Sequence, residues 1–424
     1  MPIAPLADVG TFERLESEVR AYARDFPVVF NRAVGSHLFD TTGKAYIDFL
    51  AGAGSLNYGH NHPLLRSRLI SYLLDGGIAH SLDLHTVAKE DLLRAFEALI
   101  LLPRGLDYVV QFPGPTGTNA VEAALKLARK YTGREMVVAF TNGFHGVSLG
   151  ALAATGNRHH RAAAGILLNG VYHAPYDGYL GPGVDTVEYL AKLMRDPSSG
   201  VPRPAAVIVE TVQGEGGLNA ADPAWLRRLA QLCRAEDVLL IVDDIQAGCG
   251  RTGTFFRFEP AGIVPDIVVL SKSISGFGLP LALTLFRREL DCWKPGEHNG
   301  TFRGNNHAFV TAAESLRLFW NDDTFAEEVR ATANRLRAGL SAIAGDRGIG
   351  RLTVEGRGMM SGLRCADGNV AKGIAVAAFR RGLIIETCGP MNEVVKCMPP
   401  LNIPHAVLDD GLNALADACR ETLR

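Results

Sequence analysis

The stretch Val238–Lys272, VLLIVDDIQAGCGRTGTFFRFEPAGIVPDIVVLSK, holds two short apolar runs that end in charge: VLLIV runs into Asp243 and Asp244, and IVVLS into Lys272. Continuous apolar runs, rather than alternating ones, are what strands covered on both faces look like. Similar runs recur as VVAFT from Val137, AAVIVET from Ala205 and LALTLF from Leu281. Between several of them lie segments with apolar residues at three and four spacing, such as NAVEAALKLARKYT from Asn119 and PAWLRRLAQLCRAE from Pro223. Strand alternating with helix predicts an α/β fold, a mainly parallel sheet wrapped by helices.

Outward from that core the pattern changes. Beyond Phe319, charged helical stretches at 322–344 and 408–422 flank LTVEGRGMMSGLRC and GLIIET, which predicts a smaller α+β unit. Near the start, LFDTTGKAYIDFLAGAG from Leu38 predicts a hairpin around a Thr-Gly-Lys turn and then a Gly-rich loop. The expected organisation is an N-terminal segment, 1–60, contributing to the small domain and the mouth of the site; a large domain, 61–320; and a small C-terminal domain, 321–424.

At 424 residues, 47% hydrophobic and 21% charged, the chain has the balance of a soluble globular protein. Forty-three basic against forty-five acidic residues leave no net field for nucleic acid or an anionic membrane, so small molecules and further copies of the chain are the expected partners. No apolar run approaches the roughly 20 residues of a membrane helix, and the first thirty residues lack a cationic start followed by an apolar core, so a cytoplasmic location is expected. The seven cysteines contain no CxxC pair and fit neither a zinc site nor a disulfide framework.

Only nine lysines stand against thirty-four arginines, so a lysine just past an apolar strand draws notice. It can be a snorkelling surface lysine, or an amine desolvated at the carboxyl end of a strand, where open α/β sheets bind ligands and where it can form a Schiff base. Asp243 and Asp244 end a second strand; they read equally as turn caps or as a carboxylate held for a ligand. GCGRTG at 248–253 matches a dinucleotide-binding fingerprint superficially, but TFFRFEPAG follows where that motif must open a helix. A better anion cradle is GPTGTNAVEAALKLARK, where Gly114, Gly117 and Thr118 lead into an amphipathic helix; a simply capped helix is the alternative. FTNGFHG puts Phe144 and His145 past another strand end, as packing or as a stacking platform. The pairs His60/His62 and His159/His160 lack metal-ligand spacing and read as loop or surface residues.

The order of these signals, the glycine and threonine cradle, Phe-His-Gly, VIVETVQGEGG, VDDIQAGCGRTG, PDIVVLSKSISG and GTFRGNN, resembles the class III pyridoxal-phosphate aminotransferases of fold type I, over nearly the whole chain. The resemblance implies a large domain with a seven-stranded sheet and pyridoxal 5'-phosphate (PLP) as cofactor. It further implies Lys272 as the Schiff-base lysine, Asp243 at the pyridinium nitrogen, Gln246 near the phenolic oxygen, Phe144 on the ring with His145 beside it, and Gly117 and Thr118 at the phosphate. Thr301 would reach the phosphate of a neighbouring subunit, implying a homodimer or a dimer of dimers. Arg357 in EGRGMMSG would clamp a substrate carboxylate, with Glu210 as the partner that neutralises it.

Within the class, AGAGSLNYGHNHP, TVQGEGGLN and KPGEHNGTFRGNN are most similar to the diaminobutyrate branch, whose members exchange an amino group between glutamate and aspartate semialdehyde in ectoine synthesis. The pairs Asp243-Asp244 and Arg-Gly-Asn-Asn fit that branch, whereas HSLDLHTVAKEDLL departs from it. Another ω-amino acid of siderophore or antibiotic synthesis would use the same cofactor residues, and a PLP racemase or epimerase could share the scaffold. Contacts to the substrate's side chain are expected from Ser55 or Asn57 in the Gly-rich loop.

Overall fold

The computed structural model describes residues 9–346, 348–349 and 351–423, so residues 1–8 of the expected N-terminal segment lie outside the described residues. Its centre is a seven-stranded sheet whose strands are, in chain order, β1 (Tyr108–Gln111), β2 (Val137–Phe140), β3 (Val171–Ala174), β4 (Ala206–Glu210), β5 (Leu239–Asp243), β6 (Ile267–Leu270) and β7 (Leu283–Arg287). They lie side by side as β1-β7-β6-β5-β4-β2-β3. β7 runs antiparallel to both its neighbours, while the pairs joining β6, β5, β4, β2 and β3 are parallel.

Every residue of β2, β4, β5 and β6 is buried, which explains their unbroken apolar runs. Alternate residues serve two layers: Leu240, Val242, Val268 and Leu270 pack into one apolar cluster, and Leu239, Ile241, Ile267 and Val269 into the other. The helix Gly117–Thr132 supplies Val121, Ala124 and Leu127 to the second layer. The edge strands β1 and β3 are only partly buried.

Besides a two-stranded pair, Val212–Gln213 with Asn219–Ala220, the remaining strands form two four-stranded sheets. Phe30–Val34, His37–Asp40 and Ala45–Asp48 form an antiparallel meander, and Leu383–Ile384 joins it in parallel beside Ala45–Asp48. Thr353–Arg357, Met360–Arg364, Val394–Cys397 and Glu386–Cys388 form an antiparallel sheet in that spatial order. Thr324–Gly345, Gly368–Arg380 and His405–Thr422 are the helices of this region. No helix among the described residues is long and apolar enough to cross a membrane.

Register places the chemistry. Asp243 pairs with Glu210 across β5 and β4 and with Val269 across β5 and β6. The carboxyl ends of three neighbouring strands therefore carry Glu210, Asp243 and, two residues past Leu270, Lys272 along one sheet edge.

Candidate active site

Lys272 sits at φ +54° and opens the short turn Lys272–Ser275. A left-handed backbone is costly for a residue with a Cβ and persists where the surroundings over-determine it. Here Ser271 Oγ donates to Leu281 O at 2.8 Å before the turn, and Ser273 Oγ donates to Gly54 O after it. Burial depresses the Lys272 pKa, opposed by the charge of Glu215. Its Nζ donates to Ala53 O at 2.9 Å.

Asp243 is 4% exposed, and its Oδ2 lies 2.7 Å from Nδ1 of the buried His145. Burial disfavours an imidazolium there, but the Asp243 hydrogen bond and the charges of Asp243 and Glu210 outweigh it and raise the His145 pKa. The two aspartates separate by direction. Asp243 faces the site, with Oδ1 also accepting from Ile245 N at 3.2 Å. Asp244 points into the body of the protein, accepts from Arg257 N at 2.8 Å, and is pushed up to about 7 by burial.

The cradle is built as its residues demand. Asn119 Oδ1 accepts from Thr116 N at 3.2 Å and Thr116 Oγ1 at 2.8 Å, closing the helix start, and Gly133 at φ +68° closes its end. Gly117 and Thr118 occupy the first helical positions, whose N–H groups have no partner inside a helix. A Cβ on Gly117 would lie 2.9 Å from Ile245 Cδ1 and 3.5 Å from Ser271 Cβ, so the missing side chain seats the helix start against the strand ends that bear Asp243 and Lys272. Thr118 Oγ1 is hydrogen-bonded to Ser148 Oγ.

Phe144 is half-buried, with its ring edge-on to His160 at 5.5 Å. It lines a cavity of about 470 Å³ together with Asn142, His160, Glu215 and Thr387. Gln246 Nε2 donates to Ala53 O at 3.2 Å and Glu215 Oε1 at 3.3 Å, leaving Gln246 Oε1 buried without a partner among the described residues. A Cβ on Gly214 would fall 1.6 Å from that oxygen, so a side chain there would push the Gln246 amide out of its place.

Arg357 is exposed at the end of its strand, and among the described residues no hydrogen bond or ion pair joins it to Glu210; its charge is felt instead by Arg257. Glu210 is 8% exposed, accepts from Phe144 N at 2.8 Å and Gly214 N at 3.3 Å, and is pushed up to about 7, mainly by burial and also by Asp243. Asn57 is buried and turned away from the site, with Nδ2 donating to Cys249 O at 2.8 Å and Oδ1 accepting from Arg251. Thr301 is exposed, its carbonyl accepting from His80 Nε2 at 2.6 Å, and among the described residues it joins none of the groups around Lys272.

A cluster outside the sequence expectations lies beside Lys272. Lys396 is fully buried, with Nζ 2.8 Å from Glu215 Oε1 and 2.9 Å from Glu386 Oε1. Burial opposes its charge, but the two carboxylates raise its pKa. Burial also works against charge on Glu215, yet Lys396 and Lys272 bring it down to about 2, whereas Glu386 is raised, chiefly by burial. The sequence signal was available: Lys396 is one of nine lysines and stands inside the apolar run VVKCM, the same anomaly that marks Lys272.

Ala53, whose carbonyl touches Lys272, belongs to an unusual turn. Ala51, Gly52, Ala53 and Gly54 have φ of +47°, +59°, +55° and +82°, four left-handed residues in succession. Each alanine there costs roughly 1–2 kcal/mol. Asp48 Oδ1 accepts from Leu50 N and Ala51 N at 2.8 Å each and so pins the entrance.

These residues fit PLP. A buried carboxylate oriented by an imidazole suits a protonated ring nitrogen, and a half-buried amine on the next strand end suits its carbonyl. Helix-start N–H groups suit its phosphate, and the unpartnered Gln246 Oε1 can face a phenolic proton donor.

A family model described as aminotransferase class-III matches residues 19–419. The diaminobutyrate–2-oxoglutarate transaminase of Vibrio cholerae serotype O1 is 56% identical over 404 residues, covering 95% of this chain and 98% of its own. The enzyme of the same name from Streptomyces avermitilis is 56% identical over 416 residues, covering 98% of each. The ornithine aminotransferase of Toxoplasma gondii, solved with partial occupancy of PLP at its active site, superposes with a TM-score of 0.84 at 26% identity, covering 97% of this chain and 94% of its own.

Proposed function

Because this chain belongs to the class III aminotransferases, we propose that it transfers an amino group from L-glutamate to L-aspartate 4-semialdehyde, giving 2-oxoglutarate and L-2,4-diaminobutyrate, with PLP as cofactor. Full-length relatives named for diaminobutyrate and 2-oxoglutarate support that substrate pair. The observation that carries the chemistry is the meeting of Lys272 and Asp243 at one strand-end edge with the Lys396–Glu215 ion pair close enough to act on Lys272. In the cell the reaction takes place in the cytoplasm and serves an ectoine-type pathway.

When bound, PLP supplies a carbonyl for the transferring amine and an electron sink for the pair released from a C–H bond. Asp243, held by His145, keeps a negative charge at the ring nitrogen. Gly117 and Thr118 hold the phosphate, Gln246 faces the phenolic oxygen, and Phe144 covers the ring. Lys272, whose pKa burial depresses, takes a proton from the carbon bearing the transferring nitrogen and returns it on the far side of that nitrogen.

Glutamate brings a carboxylate beside the reacting carbon, whereas the 4-carbon of diaminobutyrate brings none there. Lys396 takes the first as its anionic partner, and Glu215 neutralises Lys396 for the second. This pair replaces Arg357 and Glu210 in that role, because Lys396 is buried beside Lys272 while Arg357 is exposed.

We also propose a homodimer. Leu73, Leu74, Ile78, Val87 and Phe302 are exposed apolar side chains around Thr301 and the segments that pack near it. A second copy covering them lets Thr301 reach the phosphate of its neighbour's cofactor.

The test is the visible spectrum of the PLP-loaded protein on addition of L-2,4-diaminobutyrate, with L-ornithine and 4-aminobutyrate in parallel. Loss of the yellow band with diaminobutyrate alone is the expected result; an unmoved band sinks the proposed substrate, and a protein that takes up no PLP sinks the chemistry.

A further inference from the structure

We infer that Asn57 and Arg251 are positioning residues for Lys272, holding the left-handed turn Ala51–Gly54 so that Ala53 O receives the lysine amine whenever that amine is not bonded elsewhere. The inference rests on Lys272 being the proton carrier.

Four left-handed residues in succession, two of them alanine, do not persist on local preference. The turn is anchored on both sides. Asp48 holds its entrance, as described, and Asn57 holds its exit. Asn57 Nδ2 donates to Cys249 O at 2.8 Å, and Asn57 O accepts from Leu401 N at 2.7 Å. Asn57 Oδ1 accepts from Arg251 Nη2.

Arg251 is fully buried and, among the described residues, has no hydrogen bond to a carboxylate. Its fork instead spans three segments. Nη1 donates to Met359 O at 3.3 Å and to Pro399 O, both in the C-terminal region, while Nη2 serves the N-terminal loop through Asn57. A planar guanidinium can satisfy such divergent acceptors at once; an ammonium on a flexible stem cannot hold them in one geometry.

What the pinned turn delivers is one carbonyl. Among the described residues, Ala53 O is the hydrogen-bond acceptor of Lys272 Nζ, and it also accepts from Gln246 Nε2. One N–H donated to a fixed oxygen sets the rotation of the amine, so its lone pair keeps a defined direction. When Nζ takes a proton from the substrate carbon it becomes an ammonium whose added charge the same carbonyl dipole stabilises. When it gives the proton up the contact remains, and the amine ends each cycle as it began.

The experiment uses the full-length PLP enzyme with L-glutamate and α-deuterated L-glutamate, together with hydrogen exchange of the peptide spanning residues 48–57. Asn57→Ala is expected to lower kcat on the order of 10- to 100-fold, with little change in KM, an increased primary isotope effect and faster exchange in the turn. Arg251→Lys, which keeps the charge and loses the fork, is expected to show the same signature. Asn57→Asp, which keeps an acceptor for Arg251 and loses the donor to Cys249 O, shows it in weaker form and decides the matter should the other two not fold.

Faster exchange with an unchanged isotope effect would make the turn merely structural and overturn the inference, as would unchanged exchange. Lys272→Ala separates the two levels: full transfer by that variant sinks the assignment of Lys272 itself, whereas silent Asn57 variants in an enzyme that needs Lys272 sink the positioning role alone.

Discussion

Two lysines flank Glu215, and the protein treats them oppositely. Lys272 stands at the end of a parallel strand, donates to one neutral carbonyl, and has its pKa lowered; Lys396 lies inside an antiparallel strand between two carboxylates and has its pKa raised. Both are desolvated. The difference lies in the company each keeps, and it makes one a reactive amine and the other a fixed cation.

The largest test of that contrast removes the reactive member. Lys272→Ala should lower the rate of the glutamate half-reaction on the order of 10³-fold or more, and peptide mapping after borohydride reduction should find no pyridoxyl group at position 272. Transfer at an undiminished rate would erase the distinction.

Removing the fixed cation should cost structure as well as binding. Lys396→Met leaves Glu215 and Glu386 buried without compensation, and urea unfolding should register a loss of about 3–5 kcal/mol, with a raised KM for glutamate. Lys396→Arg should recover most of both. A Met variant as stable as the parent would mean that the three charges are not mutually dependent.

The contrast also has a sign in pH. Lys272 has its folded pKa below its unfolded value, so as pH rises toward the unfolded value of 10.5 the unfolded chain holds a proton the folded one has released, and stability rises. Lys396, raised above the same 10.5, is protonated in both states over that range and contributes no slope below it. Unfolding as pH rises toward 10.5 should therefore show a gain in stability that Lys272→Met abolishes and Lys396→Met leaves in place. Equal slopes in the two variants would contradict the opposite shifts.

The smallest effect falls on the carboxylate between them. Glu215→Gln leaves Lys396 with Glu386 but takes from Lys272 the charge that most raises its pKa, so the lysine limb of the pH–rate profile should move to lower pH. A shift to higher pH would show that Glu215 is not the partner that matters.

The site's large-domain half was legible because strand ends announce themselves: VLLIVDD and IVVLSK each break an apolar run with charge, and parallel register brings the breaks together. Lys396 carries the same signal, a charge inside the apolar run VVKCM, but no motif accompanies it and no neighbouring strand end marks it. Arg357 was assigned by motif likeness, which carries no information about burial, and the structure puts it in solvent. The edge strand Tyr108–Gln111 lacks a fully buried run, so β1 did not stand out. The left-handed turn could not be foreseen, since alanine at two of its four positions carries no preference for positive φ.

The parallel seam between Ala45–Asp48 and Leu383–Ile384 has a temporal meaning. Beside it Lys44 Nζ donates to Arg380 O across 336 positions of sequence. On a ribosome, the hairpin emerges well before its neighbour. The parallel core can assemble in between, yet the loop that meets Lys272 stays unanchored until the C-terminal strands leave the exit tunnel. Nascent chains would acquire their reactive lysine before the geometry to use it.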